Sequence, residues 1–340
     1  MGVVPVRLEI SVEDLPFKTP FRISGYTFTD LPVAVVTLGE GRLQGRGEAA
    51  GVYYLDDEPR EMAAMIESQR EAIENGITRD QLRELLPAGG ARNAVDCALW
   101  DLEAKRAGQP AWKLAGLTQV TPPITTFTLG ADDPDVMAEG ARANALARAL
   151  KLKLSGELEP DIERLKAVRA ARPDVWLGVD ANQGYTRATL ARLLPHLQEA
   201  RVLLLEQPLP RGNDADLEGL HCPIPIAADE SVQGLAEIAP LLGRFDVVNI
   251  KLDKCGGLTE ALLMVGEARR LGLKVMVGNM VGTSLAMAPA FVVAQLCDYV
   301  DLDGPTFLAH DPEPTVIYDD GRIWCPDEVW GAPEAGRDTA

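Results

Sequence analysis

A chain of 340 residues, 46% of them hydrophobic, has room for two domains with ordinary globular interiors. Its 33 basic and 51 acidic residues leave a formal charge of −18, which excludes the basic stripe that nucleic-acid phosphates require. No apolar run approaches the roughly 18 residues that span a bilayer, residues 1–10 lack the profile of a secretory leader, and the five cysteines include no Cys-x-x-Cys pair. The expectation is a reduced, soluble, cytoplasmic protein with neither nucleic acid nor membrane as partner.

Along the chain, Val6–Val12 alternates like a strand, Ala34–Leu38 is apolar and β-branched, and Leu43–Ala49 carries glycines, which together predict an antiparallel meander. Helical spacing of apolar residues then predicts helices over Arg60–Asn75, Arg79–Leu86 and Ala91–Ala107, so residues 1–120 read as a small α+β domain. After Pro122-Pro123 short apolar strands alternate with helical segments. The strand candidates are Ile124–Leu129, Ala149–Leu154, Val175–Val179, Val202–Glu206, Ile224–Ala228, Val247–Leu252, Lys274–Val277 and Tyr299–Leu302. Eight such units over residues 121–310 predict an α/β fold with a parallel sheet closed into a TIM-type barrel. A doubly wound open sheet is the alternative, without a Gly-x-Gly-x-x-Gly fingerprint to support a dinucleotide. The tail, 311–340, is expected to fold back onto the first domain.

In a barrel, polar residues at the C-terminal ends of strands face the active site. The second predicted strand ends in Lys151-Leu-Lys153, the third in Asp180-Ala-Asn182, the fourth in Glu206-Gln207 and the fifth in Asp229-Glu230-Ser231. The sixth contains Asn249-Ile-Lys251, and the eighth ends in Asp301-Leu-Asp303-Gly-Pro. Three consecutive strands thus each deliver one carboxylate, an oxygen-only set suited to a hard cation such as Mg²⁺, with Mn²⁺ the substitute. Lysines flank the set from opposite sides. Metal-stabilised enediolate chemistry needs that arrangement, with one lysine removing an α-proton and the other returning it.

The ordered motifs Lys-x-Lys, Val179-Asp180-Ala-Asn182, Glu206-Gln-Pro-Leu, Ala228-Asp229-Glu-Ser and Asn249-Ile-Lys251 followed by Gly256-Gly257 resemble the enolase superfamily, and its muconate-lactonizing subgroup in particular. The resemblance implies a (β/α)7β barrel, an N-terminal capping domain completed by the C-terminal tail, and self-association into a homo-oligomer. It implies Asp180, Glu206 and Asp229 as metal ligands and Lys153 and Lys251 as the acid/base pair. Lys151, two positions from Lys153, is placed to lower the pKa of that lysine. The site of the mandelate racemases calls for a histidine late in the barrel, and His196, His221 and His310 are all misplaced for it.

Asp301 and Asp303 resemble the Asp-x-Asp pair of the dipeptide epimerases, which implies that they bind a free α-ammonium. The implied reaction is racemisation or epimerisation of an amino-acid residue, foremost in a dipeptide. An N-acyl amino acid such as N-acetyl-glutamate, or dehydration of a hydroxylated amino acid, are the alternatives. Side-chain selection falls to cap loops over Phe21–Asp30 and Ala50–Asp57, with Arg22, Phe28 and Tyr53 as candidates alongside Asn182. Phe28 stands where the Ala-Glu epimerases carry a cation, leaving Arg22 and Lys18 to face an acidic side chain. Taken alone, each Asp at a strand end is a turn or cap residue and each lysine a solvated rim charge. Only the joint pattern reads as a site. Glu48, Asp96 and Asp101 read as structural, and Cys255 as a small buried hydrophobe.

Overall fold

The computed structural model describes residues 5–23 and 26–333, the side chains of 21–23 and 26 excepted. Three strands, β1 (Arg7–Ile23), β2 (Tyr26–Glu40) and β3 (Leu43–Ala49), form the antiparallel meander. Ala34, Val36 and Leu38 are fully buried on one face of β2, as period-two alternation demands. The first two strands run further than expected. Beyond an irregularity between Pro16 and Phe21 they pair again, Phe21 opposite Phe28, so the first expected cap loop is the tip of a hairpin. Helices α1 (Pro59–Ser68), α2 (Arg70–Glu74), α3 (Arg79–Leu85), α4 (Gly90–Ala107) and α5 (Ala111–Leu114) complete this layer. β3 lies almost directly on α4, and only glycine permits that distance. A Cβ on Gly45 would sit 2.1 Å from the Ala98 carbonyl, and one on Gly47 would sit 2.1 Å from that of Ala94.

The remaining chain builds an eight-stranded parallel sheet among the described residues. In chain order come β4 (Thr126–Leu129), α6 (Pro134–Ala143), β5 (Ala149–Lys153), α7 (Leu158–Ala171), β6 (Trp176–Asp180), α8 (Arg187–Glu199), β7 (Leu204–Glu206) and β8 (Ile226–Ala228). There follow β9 (Val247–Ile250), α9 (Leu252–Cys255), α10 (Leu258–Arg270), β10 (Lys274–Val277), α11 (Ser284–Ala294) and β11 (Tyr299–Val300). Neighbours pair in strict sequence from β4 to β11. Between β11 and β4 side chains make the join. Leu302 N donates to Thr125 Oγ1 at 2.9 Å, Thr128 N donates to Asp303 Oδ2 at 2.6 Å, and the Thr126 hydroxyl donates to Asp301. Two crossovers depart from the helical expectation. Among the described residues the link after β7 carries one 3₁₀ turn and the link after β8 carries two, because Pro208, Pro210, Gly212, Gly219, Pro223 and Pro225, then Gly234, Pro240 and Gly243, interrupt any α-helix.

A hairpin of β12 (Ile317–Asp319) and β13 (Arg322–Trp324) sits beside the start of β4. Further on, Trp330 Nε1 donates to the Arg46 carbonyl at 2.9 Å and Gly331 N to Asp101 at 2.9 Å, which ties the tail to the cap. Cap and barrel also meet through buried polar groups. Asp96 accepts from Thr259 N at 2.9 Å and from its hydroxyl at 2.6 Å, at the start of α10, while Asp253 accepts from Gly51 N at 2.9 Å. The Gly256-Gly257 turn faces this seam, since a Cβ on Gly256 would strike Arg92 at 2.2 Å.

Glu48, 3% exposed, accepts from Thr283 N at 2.8 Å and from the Thr283 hydroxyl. Burial pushes its carboxyl up to about 7 from 4.5; the Thr283 bonds oppose this and Asp253 and Asp311 add to it. A carboxyl raised on folding contributes stability that is present below its ordinary value and is lost as pH rises through about 7. Between pH 5 and pH 8 the protein is therefore expected to lose on the order of 2–3 kcal/mol relative to Glu48→Gln, as measured by urea denaturation at each pH. Parallel stability profiles for the two proteins would rule out titration of Glu48 in this range.

Candidate active site

Strand geometry brings the charged residues together. β5 and β6 place Lys153 opposite Asp180, and β6 and β7 place Asp180 opposite Glu206, all at the ends of their strands. β8 ends one residue before Asp229, and β9 one residue before Lys251. One carboxylate oxygen from each of Asp180, Glu206 and Asp229 lies within 4.8 Å of the others, and all three residues are buried. The set contains no nitrogen or sulfur donor. It fits a hard divalent cation such as Mg²⁺ or Mn²⁺ and suits a thiophilic metal poorly.

Ammonium groups enclose the carboxylates. Lys153 Nζ lies 2.6 Å from Asp180 Oδ2 and Lys251 Nζ 2.7 Å from Asp229 Oδ2, from strands half a barrel apart. Lys151 is central, at 3.0 Å from Asp180, 2.8 Å from Glu206 and 2.8 Å from Asp301. Burial alone would push Lys151 down; these three carboxylates outweigh it and hold its pKa well above the ordinary lysine value. Burial likewise opposes charge on Asp229, yet Lys251 and Lys254 together hold its pKa well below the carboxylate range. For Glu206 burial wins, helped by Asp180, and the carboxyl rises to about 8 despite Lys151.

A cavity of about 170 Å³ opens above this array, lined by Lys153, Lys251, Asp229, Asn182, Phe28 and Tyr53 among others. Asn182 adopts φ 40° and Gln207 φ 36°, so the chain turns away sharply just past two of the carboxylates. Asn182 Oδ1 and Glu230 Oε2 are buried on the cavity wall without a hydrogen-bond partner among the described residues. Phe28, Tyr53 and Tyr54 stack edge to face above, with centroids 5.5 and 5.2 Å apart. The side chain of Arg22 falls outside the described residues. Asp301 and Asp303 are buried at the β11–β4 seam rather than on the wall of this cavity, each bonded to a β4 threonine, and Asp301 is also bonded to Lys151.

The sequence motifs contain Asn249 and Glu230 without a role for either, and they do not single out Lys254. Lys254 donates to Asp229 Oδ1 at 2.6 Å, Asn249 Nδ2 donates to Glu206 Oε1 at 2.9 Å, and Glu230 is buried at the cavity. For Asn249 and Glu230 the signal is membership of the motif itself, and for Lys254 it is a place between Lys251 and the Gly256-Gly257 turn.

Comparison with known proteins agrees with this geometry. The mandelate racemase/muconate lactonizing enzyme N-terminal domain matches residues 7–116 and the enolase C-terminal domain-like family matches residues 136–329. The chain belongs to the enolase superfamily. Among its relatives, an L-Ala-D/L-Glu epimerase of Escherichia coli K12 is 41% identical over 93% of this chain and 98% of its own. Among solved structures of the superfamily, a member from Agrobacterium tumefaciens with homology to dipeptide epimerases, bound to L-Ala-L-Glu, superposes with a TM-score of 0.92. It is 41% identical, with 96% of this chain and 100% of that chain covered. The dipeptide epimerase of Methylococcus capsulatus, complexed with Mg and L-Arg-D-Lys, gives a TM-score of 0.88 at 31% identity, covering 94% and 97%.

Proposed function

We propose that the protein is an isomerase that inverts the α-carbon of an amino-acid residue bearing a free carboxylate, with Lys153 and Lys251 moving the proton and a dipeptide as substrate. The observation that carries this reading is the placement of two lysines, from opposite sides of one barrel, on the wall of one cavity over a carboxylate triad. One lysine, as the amine, takes the α-proton from its face. The other, as the ammonium, delivers a proton to the opposite face, and the configuration inverts. Asp180, Glu206 and Asp229 would hold Mg²⁺ or Mn²⁺, which when bound supplies positive charge beside the substrate carboxylate. Lys151 is held as an ammonium by its three carboxylates, two positions from Lys153 along the same strand.

The substrate's amino end is assigned to Asp301 and Asp303. Burial, with Asp301 alongside, pushes Asp303 up to about 7, and an arriving ammonium would relieve both effects. A second reading, an N-acylated amino acid with no ammonium, is favoured by the bond Asp301 already makes to Lys151 and by the seam position of the pair. For the side chain, the cavity offers Phe28, Leu31, Pro32, Tyr53 and Val281, with Asp30, Asp57 and Glu58 at its rim. Among the described residues its only cations are Lys153 and Lys251. An apolar or aromatic side chain suits this wall, and an acidic one would face like charge.

In ²H₂O with Mg²⁺, dipeptides with free ammonium groups are expected to exchange their α-proton and epimerise. Lys153→Ala and Lys251→Ala should each lower epimerisation by about 10²–10⁴-fold. Chelation should abolish it, and exchange that survives a chelator would sink the metal reading. If only N-acyl amino acids exchange, the ammonium assignment falls and the lysine chemistry stands.

Selectivity gives a separate check. Dipeptides with apolar side chains are expected to exceed Ala-Glu in kcat/KM by about tenfold or more, roughly 1.4 kcal/mol. Phe28→Arg should narrow that gap. A wild-type preference for Ala-Glu would overturn the side-chain assignment.

A further inference from the structure

Lys254 has no part in the chemistry proposed above, yet it is 3% exposed and carries a charge in the middle of the site. It lies on α9, three residues beyond Lys251. Its ammonium donates to Asp229 Oδ1 at 2.6 Å, to the Asp229 carbonyl at 2.6 Å and to the Asn249 carbonyl at 3.0 Å. An ammonium has three protons, so this group has none left for a substrate. Lys251 meets the other oxygen of the same carboxylate, Oδ2, at 2.7 Å.

The other two carboxylates are divided in the same way. Asp180 receives Asn182 N on Oδ1 at 3.0 Å and Lys153 on Oδ2. Glu206 receives Asn249 Nδ2 on Oε1 at 2.9 Å and Lys151 on Oε2. In every case one oxygen meets a donor outside the Lys151, Lys153 and Lys251 set, and the other meets one of those three lysines. Asn249 links two of the anchors, because its side chain holds Glu206 while its carbonyl receives Lys254.

From this division we infer that Lys254 and Asn249 are positioning residues, which fix Asp229 and Glu206 so that each presents a single oxygen to a divalent cation. The inference rests on the metal-site reading above. It makes a prediction opposite in sign to simple electrostatics. Removing a positive charge beside a cation site should tighten binding if charge alone matters. Removing an anchor frees the carboxylate to rotate, and loss of such outer partners weakens metal binding by about 10–100-fold.

The test is Mn²⁺ titration of the purified protein by electron paramagnetic resonance, with steady-state kinetics at several Mn²⁺ concentrations. Lys254→Met is expected to weaken Mn²⁺ binding by about 10–100-fold, with kcat returning to within a few-fold of wild type at saturating Mn²⁺. Lys254→Gln, which retains an amide donor, should recover part of the loss. Asn249→Ala, which alters no charge, should weaken binding in the same direction and carries the test if the Lys254 variants do not fold. Unchanged or tighter Mn²⁺ binding in Lys254→Met would overturn the inference, as would a kcat that saturating metal fails to restore. A wild-type protein that takes up no Mn²⁺ would instead defeat the metal-site reading itself.

Discussion

Burying charge is the constraint from which the rest of this structure follows. Asp180, Glu206, Asp229, Glu230, Asp301 and Asp303 are withdrawn from water at one end of a barrel, together with Lys151, Lys153, Lys251 and Lys254. An isolated ion in such a place costs several kcal/mol even after relaxation, so a buried carboxyl is either paired and hydrogen-bonded, as Asp180 and Asp229 are, or pushed toward its neutral form, as Glu230 is. Burial and neighbouring carboxylates push Glu206 up to about 8 and Glu230 and Asp303 up to about 7, so the array keeps part of its negative charge protonated near neutrality. The same constraint explains why the lysines lie on opposite strands. Lys153 and Lys251 each contact a different carboxylate, which spreads compensation across the triad and leaves the two amines on opposite faces of the cavity.

Holding that array requires rigid supports, and the barrel provides them through strand register. The cap adds a second support. Asp253, two residues past Lys251, accepts from Gly51 N, at the start of the segment that carries Tyr53 and Tyr54 to the cavity. Arg92 of α4 donates to the carbonyls of Cys255 and Gly256, fixing the short helix that bears Lys254. These contacts are buried and polar, so they specify geometry more than they add net stability. The lysine end of the site and its aromatic lid are thereby built on one connected framework.

The strands and their order were legible because each is a short, largely apolar run set off by turn residues or helical segments, and the chemistry sits where those runs end. Asp180, Glu206 and Asp229 stood out through regular spacing, and the structure does bring them together. Lys254 did not, because it lies on a helical turn past the strand and reads as one more rim charge; its burial is a tertiary fact. Asn249 was hidden by its place inside a strand, where a polar residue is the signal but its partner is not. The seam position of Asp301 and Asp303 was equally illegible. A barrel that closes through threonine side chains, rather than through a backbone ladder, leaves no periodicity to read. The missing helices after β7 and β8 were readable in principle from their prolines and glycines, which the repeat pattern overshadowed.

The groups assigned to proton transfer and those assigned to selection come from different parts of the chain. Lys151, Lys153, Lys251 and the carboxylate triad come from the barrel strands and the residues just past them, whereas Phe28, Leu31, Tyr53 and Tyr54 come from the cap. Changing a cap side chain alters which residue fits without disturbing the buried ion-pair array. A change inside the array propagates, because Lys151 alone touches three carboxylates and Asp229 alone touches two ammoniums. This asymmetry gives a physical reason why one barrel architecture can serve related proteins that bind L-Ala-L-Glu and L-Arg-D-Lys. The expensive part of the site, its buried charge, is common to the chemistry, and the adjustable part is a hydrophobic and acidic wall that costs little to redraw.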